Sequence, residues 1–227
     1  MTTPRIQVTQ LSKRFRFSCS FGTNRGTLVQ GKPFKNFESA RWVLKDISFQ
    51  IQPGESAGII GPNSAGKTTL LRIISGVIKP SQGSVLTRGK VASILGIAFH
   101  PDLTSRECIR FHGSFYGLGR AECEEMADRV LSLSGVQVAN NCPVKFLNKG
   151  ALARIALSIA LHSQAQVFLF DEILPVLDSD FLLRLKDTLN HLREQGKSFL
   201  IASHQENIIA SLCTRRIYLD QGRATCL

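Results

Sequence analysis

The chain has 227 residues, 43% hydrophobic and 20% charged, with 28 Lys+Arg against 17 Asp+Glu for a formal net charge of +11. That balance supports a folded core in one large domain, with or without a small subdomain, and excludes disordered and collagen-like classes. The basic surplus is lopsided: residues 1–90 hold 14 basic and 3 acidic side chains, whereas residues 91–227 hold 14 of each.

MTTPRIQV lacks the apolar stretch of a signal peptide, and residues 6–8 read as a short strand. Basic LSKRFRF follows; residues 18–40, rich in Gly, Ser, Asn and Lys, read as a loop or a loose hairpin insertion. WVLKDISFQI alternates as a strand does, QPGE marks a turn, and SAGIIG is a short buried strand running straight into GPNSAGKT. From Thr68 the run TLLRIISGVI has helical spacing, stopped by Lys79-Pro80 and a Ser-Gln-Gly turn. VASILGIAF is among the longest apolar runs, far short of the roughly 18 to 20 residues that cross a bilayer, so a cytosolic protein is expected.

In HPDLTSRECIRF, Thr104 and Glu107 have the spacing of a capping box, which predicts a helix start; residues 105–135 read as helical, with AECEEMADR on a solvated face. Residues 150–162 read as a largely buried helix, QVFLFDE as a strand without a polar face until its end, and residues 181–193 as an amphipathic helix. KSFLIASH and RRIYLDQG predict two more strands with a helix between them. Continuously apolar strands separated by helices imply a parallel sheet covered on both faces, an α/β fold. Six cysteines, scattered without a CxxC, read as free thiols rather than a zinc site or a disulfide framework.

Gly61-Pro62-Asn63-Ser64-Ala65-Gly66-Lys67-Thr68 fits GxxxxGK[ST] between a buried strand and a helix, the context its chemistry requires. Such a loop lets successive backbone N–H groups point at phosphate oxygens, helped by the positive end of the following helix. Lys67 would reach the β- and γ-phosphates, the Thr68 hydroxyl would ligate Mg²⁺, and Thr69 is a further nucleotide-binding position. A Gly-rich turn with a solvated lysine is the bland alternative. Asp171, ending the strand QVFLFD, is placed to hold Mg²⁺ through water, and Glu172 to orient and deprotonate an attacking water. Either carboxylate alone could be an ordinary strand-end acid. His204 ends another strand in the same layer, within plausible reach of a γ-phosphate.

The order GPNSAGKT, a helical insertion, VFLFDE, VLD and a strand ending SH resembles the ATP-binding cassette (ABC) ATPases over nearly the whole chain. The resemblance implies a P-loop NTPase fold with a mostly parallel core sheet, a small antiparallel β subdomain and an inserted helical subdomain at about residues 92–165 of a single 1–227 domain. It also implies a homodimer in which ATP, with Mg²⁺, lies between the phosphate loop of one copy and the signature segment of the other. By that match Phe15 is the aromatic that stacks on adenine, with Phe34, Phe37 and Trp42 as competitors. Asn148 and Gly150 belong to the signature segment, Asp178 is the loop aspartate crossing the dimer interface, and His204 is the switch histidine.

GIAFHPDLTSRECI, PVKFLNKGALAR and DEILPVLDSDF are similar to the GxGFHPELTGRENI, PVKxYSSGMxAR and DExLAVGDxxF runs of ATPases that power export of capsular polysaccharide, O-antigen or teichoic acid. This implies a separate membrane permease as partner, a polysaccharide substrate met only indirectly, and a peripheral place on the cytoplasmic face of the inner membrane. The short length resembles subunits that lack an added carbohydrate-binding domain.

Two departures stand out. The signature serine and its small neighbour are replaced by Asn148 and Lys149, and the switch-loop glutamine is missing, with Ser93 or His100 in its region. They motivate an alternative, a catalytically weak regulatory subunit. A nucleic-acid-associated ABC protein, suggested by the basic first segment, would need a second cassette or a coiled coil; the sequence has one cassette and no heptads, so no nucleic acid is expected. Residues 109–117, IRFHGSFYG, are a candidate permease-facing groove or else subdomain core, and Arg25, Lys32, Lys35 and Arg41 read as a solvated basic loop or a lipid-headgroup contact.

Overall fold

The computed structural model describes residues 3–19, 37–96, 99–116, 118–136 and 142–226. Arg25, Lys32, Phe34 and Lys35 lie outside the described residues, as do the side chains of residues 17–19, 37–39 and 226.

Strands β1 (Ile6–Cys19), β2 (Phe37–Ile51) and β4 (Gln82–Thr87) form an antiparallel sheet in the order β2-β1-β4. The short strand expected at residues 6–8 is thus a 14-residue strand. The basic stretch LSKRFRF continues it because pairing with β2 satisfies its backbone while Arg14 and Arg16 stay exposed and the Lys13 ammonium donates to Lys79 C=O at 2.8 Å. The second sheet runs β5 (Val91–Ile94), β6 (Val167–Asp171), β7 (Ser198–Ser203), β3 (Ser56–Ile60), β8 (Arg215–Asp220) and β9 (Arg223–Cys226). It is parallel from β5 through β8, and β9 pairs antiparallel on its edge. This is the expected α/β architecture, with β9 as an addition that its polar sequence did not announce.

Alternation along β6 divides the core. Val167 and Leu169 face a cluster with Ile59 of β3, Leu70 and Leu71 of α1 (Lys67–Ile74), and Leu11 and Leu44 of the antiparallel sheet. Phe168 and Phe170 face the opposite side, against Leu157 of α4 (Lys149–Leu161), Phe181 and Leu185 of α5 (Ser179–Glu194) and Ile209 of α6 (Glu206–Leu212). The Phe168 and Phe199 rings stack at 4.9 Å, and a phenylalanine buried this fully contributes about 1.5–3 kcal/mol by transfer alone. On its other side α4 offers Ile155 and Ile159 to α2 (Ser105–Phe115) and α3 (Arg120–Ser134), which bring Ile109, Met126 and Val130. Contact with both sheet and helices explains why α4 reads as apolar nearly all round.

The helix expected over residues 105–135 is two helices. Thr104 opens α2 with the anticipated capping box: its hydroxyl accepts from Glu107 N–H at 3.3 Å and the Glu107 carboxylate accepts from Thr104 N–H at 2.8 Å. Leu118 and Gly119 stand outside both helices, and Glu122 starts α3 by accepting from Gly119 N–H at 2.7 Å. Residues 101–104, entering α2, are stitched to residues 143–145, which lead to α4. Val144 N–H donates to Leu103 C=O at 2.8 Å, Lys145 N–H to Pro101 C=O at 3.1 Å, and the Lys145 ammonium meets Asp102 at 2.7 Å.

Candidate active site

Three adjacent parallel strands, β6, β7 and β3, end in one layer: Ile60 pairs with Ser203 and Asp171 with Ala202. Whatever follows these strands is therefore gathered at the carboxyl edge of the sheet, where α/β folds place their ligand sites. The chain puts Gly61 after β3, Glu172 after β6 and His204 after β7.

Residues 61–66 loop from β3 into α1. Gly66 sits at φ 108°, a left-handed conformation that any side chain would strain, and a Cβ there would come 2.7 Å from Leu44 Cδ2. No side chain caps α1, so its first N–H groups and the positive end of its dipole are left for an outside acceptor. Ala65 is buried and anchors the loop to the core, while Asn63 and Ser64 are exposed. Lys67 is 6% exposed. Its ammonium donates to Gly61 C=O at 2.8 Å and Pro62 C=O at 3.1 Å, and lies 3.1 Å from Glu172 Oε1.

Glu172 takes the left-handed φ of 49°, and its N–H donates to Ala202 C=O at 3.0 Å. Holding a non-glycine residue there costs on the order of 1–3 kcal/mol, and here the bond to β7 fixes where the carboxylate points. Its second oxygen, Oε2, lies 2.8 Å from His204 Nδ1 and accepts from His204 N–H at 3.4 Å. Lys67, Glu172 and His204 thus form a continuous polar chain across the three strand ends.

Behind it, the Thr68 hydroxyl donates to Asp171 Oδ2 at 2.6 Å, and Asp171 Oδ1 is buried without a hydrogen-bond partner. Burial pushes the Asp171 carboxyl above the usual carboxylate range; the Thr68 hydroxyl opposes that rise and the Glu172 charge adds to it. A hydroxyl beside a buried, half-satisfied carboxylate is a hard-oxygen pair. It fits Mg²⁺, which keeps part of its shell as water or phosphate oxygen.

Lys67, Thr68 and Glu172 open on a cleft of about 860 Å³, with Asp171 and His204 outside its lining. Asn63, Ser64, Gly66, Lys67, Thr68, Thr69 and Glu172 line its floor; Arg41, Trp42 and Lys45 of β2 line a wall with Gln221 and Gly222. The last two form the β8–β9 turn, both at positive φ (44° and 79°). Gly222 C=O accepts from Lys45 N–H at 2.7 Å, and a Cβ on Gly222 would come 2.4 Å from Val43 C=O. This wall carries no motif; the sequence marks Trp42 only as a competitor of Phe15 for the base.

Phe15 is half-buried, carries the Lys13 ammonium 5.0 Å from its ring centroid, and does not line the cleft. Asn148, Gly150 and Asp178 do not line it either. Asn148 caps α4, its Oδ1 accepting from Ala151 N–H at 2.8 Å. Asp178 caps α5, accepting from Phe181 N–H at 2.8 Å, and reaches Arg154 of α4 at 2.8 Å. The Phe181 N–H, helped by the Arg154 charge, holds the Asp178 carboxyl below its ordinary range. Lys149 borders a second cavity of about 370 Å³ whose walls include Asp171, Glu172 and Val176. Ser93 pairs with Leu169 inside the core sheet, away from the cleft lining.

A GxxxxGK[ST] loop after β3, a carboxylate-tipped strand one strand removed from it and an antiparallel sheet walling the cleft define a nucleotide-binding cassette of the P-loop class. The sequence profile of the ABC transporter family matches residues 44–174, and the chain belongs to that family. It is 35% identical to the ABC transporter protein AbcA of Aeromonas salmonicida over 79% of this chain and 59% of that one. Identity is 31% to the O-antigen export system ATP-binding protein RfbB of Klebsiella pneumoniae, over 97% of this chain and 92% of that one. The teichoic acids export ATP-binding protein TagH of Listeria monocytogenes is also 31% identical, over 80% of this chain and 54% of its own length. Among solved structures, the ATP-binding cassette MJ0796 bound to ADP and Pi superposes with a TM-score of 0.78 over 96% of both chains at 22% identity, which bears on the fold.

Proposed function

We propose that this chain binds and hydrolyses ATP as the cassette subunit of an exporter of cell-surface polysaccharide. In this reading it acts as a homodimer beside a separate permease, peripheral to the cytoplasmic face of the membrane. The observation that carries the catalytic part is the Lys67–Glu172–His204 chain set beside Thr68 and Asp171. Triphosphate entering the cleft offers Lys67 stronger acceptors than the loop carbonyls and Glu172. Once the ammonium moves to phosphate, Glu172 Oε1 is free to take a proton from a water in line with the γ-phosphate, while His204 holds Oε2 and with it the angle of the carboxylate. Thr68 and Asp171 would hold Mg²⁺, which neutralises charge on the phosphates when bound. Backbone N–H groups of the loop and the start of α1 bind the remaining phosphate oxygens.

The lining of the cleft favours Trp42 over Phe15 as the surface for the base. Asn148, Gly150 and Asp178 stand apart from the cleft, which supports a role at the nucleotide of the second copy. The names of RfbB and TagH support polysaccharide export. The aromatic run on α2 supports a permease contact: Phe111 and Phe115 are 52% and 69% exposed, and Phe115 borders a cavity of about 390 Å³ with Val91 and Tyr116. No helix of the described residues is long and apolar enough to cross a membrane.

A second reading, a weakly hydrolysing regulatory subunit, is favoured by Lys149, exposed at the start of α4 where the signature run this segment resembles has a small residue. Phosphate release by the purified protein, alone and with its permease, separates the two. Hydrolysis abolished by Glu172→Gln with ATP binding retained supports the first reading; release at the level of the buffer blank in both settings supports the second. In cells, Lys67→Ala should abolish surface polysaccharide while the protein remains folded and abundant, and retained export overturns the transport assignment.

A further inference from the structure

Trp42 is the single tryptophan of the chain, and Arg14 stands directly opposite it in the β1–β2 ladder. The Arg14 guanidinium lies 5.4 Å from the indole centroid, over the ring. Arg14 is exposed and takes no part in an ion pair among the described residues, and its backbone is pinned by a 3.0 Å hydrogen bond from its N–H to Ser81 Oγ. Trp42 borders the cleft together with Gly66, Lys67 and Thr68, whereas Arg14 does not. The guanidinium therefore covers the indole from outside and leaves the rest of the ring to the cleft.

We infer that Arg14 is a positioning residue for nucleotide recognition, holding the Trp42 indole in the orientation that receives the base; this rests on the cleft being the ATP site. Two physical effects act together. A planar cation stacked on an aromatic face restricts the rotation of both side chains, so less ordering remains to be done when the ligand arrives. The cation also attracts the π cloud of the indole, a contact that persists only while the ring keeps that orientation. Arg14 thereby acts on the nucleoside part of the ligand and not on its phosphates, although it is one of the surplus cations of the first 90 residues. An adenine base, with its large π face, is the chemistry this surface takes.

The test uses the full chain and two probes, ATP and inorganic tripolyphosphate, with calorimetry for affinity and Trp42 emission for the platform. The wild type should bind both, and only ATP should quench the emission. Arg14→Ala should weaken ATP about two- to fivefold, the range of an exposed cation–π contact, and leave tripolyphosphate affinity unchanged. Arg14→Lys, charged but not planar, should bind tripolyphosphate normally and recover ATP affinity only in part. An equal loss of both ligands in Arg14→Ala, restored fully by lysine, makes Arg14 a phosphate-attracting charge and overturns the inference. So does an unchanged ATP affinity, or ATP binding that leaves Trp42 emission untouched; in both cases the nucleotide site itself stands. A wild type that binds neither probe overturns the nucleotide site and the inference with it.

Discussion

In the α2–α3 pair the charges are settled within the protein: Arg106 meets Glu124 at 3.2 Å and Asp128 at 2.5 Å, and Arg110 meets Glu124 at 2.5 Å. The β1–β2 hairpin is arranged the other way. Arg14, Arg16, Arg41 and Lys45 are exposed there, and none joins an ion pair among the described residues. Among the described cations of residues 1–90 only Lys67 has an acidic partner, and that partner is Glu172, itself part of the cleft. One region uses charge to fasten two helices; the other leaves those cations exposed and without an acidic partner among the described residues. Of the fourteen cations of residues 1–90, Arg41, Lys45 and Lys67 line the cleft, so the cleft takes up only part of the +11 balance.

If that division is right, removing charge from the cleft costs activity and removing it from α2 costs only stability. The largest effect is expected from Lys67→Ala, a loss of ~10²–10³ in phosphate release, since a preorganised cation at developing charge contributes on that scale. Steady-state phosphate assays with circular dichroism as a folding control check it. Trp42→Ala should weaken ATP about tenfold, within the range for loss of base stacking, while Phe15→Ala should cost at most about twofold. A larger loss at Phe15 in calorimetric titration breaks the assignment of the β2 wall to the base.

Smaller, and more diagnostic, is the double change Arg41→Ala with Lys45→Ala. It should weaken ATP about fivefold at low salt, fade as ionic strength rises, and leave Tm alone. Arg106→Ala should do the reverse, lowering stability by about 0.5–1 kcal/mol with no change in ATP affinity. If both variants shift Tm and affinity together, the two regions are not separable.

The smallest effect concerns the anionic side of the cleft. Because burial raises the Asp171 carboxyl, the folded protein holds that proton more tightly than the unfolded chain. Stability is then lost as pH rises from the ordinary aspartate value through the raised one, and regained on acidification. Asp171→Asn should therefore raise the Tm of the nucleotide-free protein at pH 7, with the gain vanishing at pH values below the ordinary aspartate range. A variant less stable than wild type at pH 7 in scanning calorimetry refutes this.

The floor of the cleft was legible in the sequence because its chemistry is contiguous. Residues 61–68 and Asp171-Glu172 carry their context with them, a buried strand ending in the loop or in the acids, and parallel pairing brings the strand ends level. His204 followed from the same layer argument. The wall was not legible, since it depends on cross-strand register. The β1–β2 ladder slips between Leu11 and Lys13 and again between Lys13 and Arg14. A one-residue slip exchanges the two faces of a strand, so alternation alone could not choose between Phe15 and Trp42. The long β1 and the division of α2 from α3 were missed for related reasons: cations on an edge hairpin imitate a loop, and a break at Leu118 and Gly119 is hidden inside an otherwise helical pattern.

The stitch between residues 101–104 and 143–145 has a mechanical consequence. Two backbone hydrogen bonds and the Lys145–Asp102 pair make one rigid clasp from segments about 40 residues apart in sequence. The connection from the core sheet enters the clasp on one side, and three residues beyond it Asn148 starts α4. The same bonds couple residues 101–104 to residues 143–145. The start of α4, with Asn148 and Lys149, is therefore tied through residues 143–145 to the entry of α2 instead of hanging on a free loop.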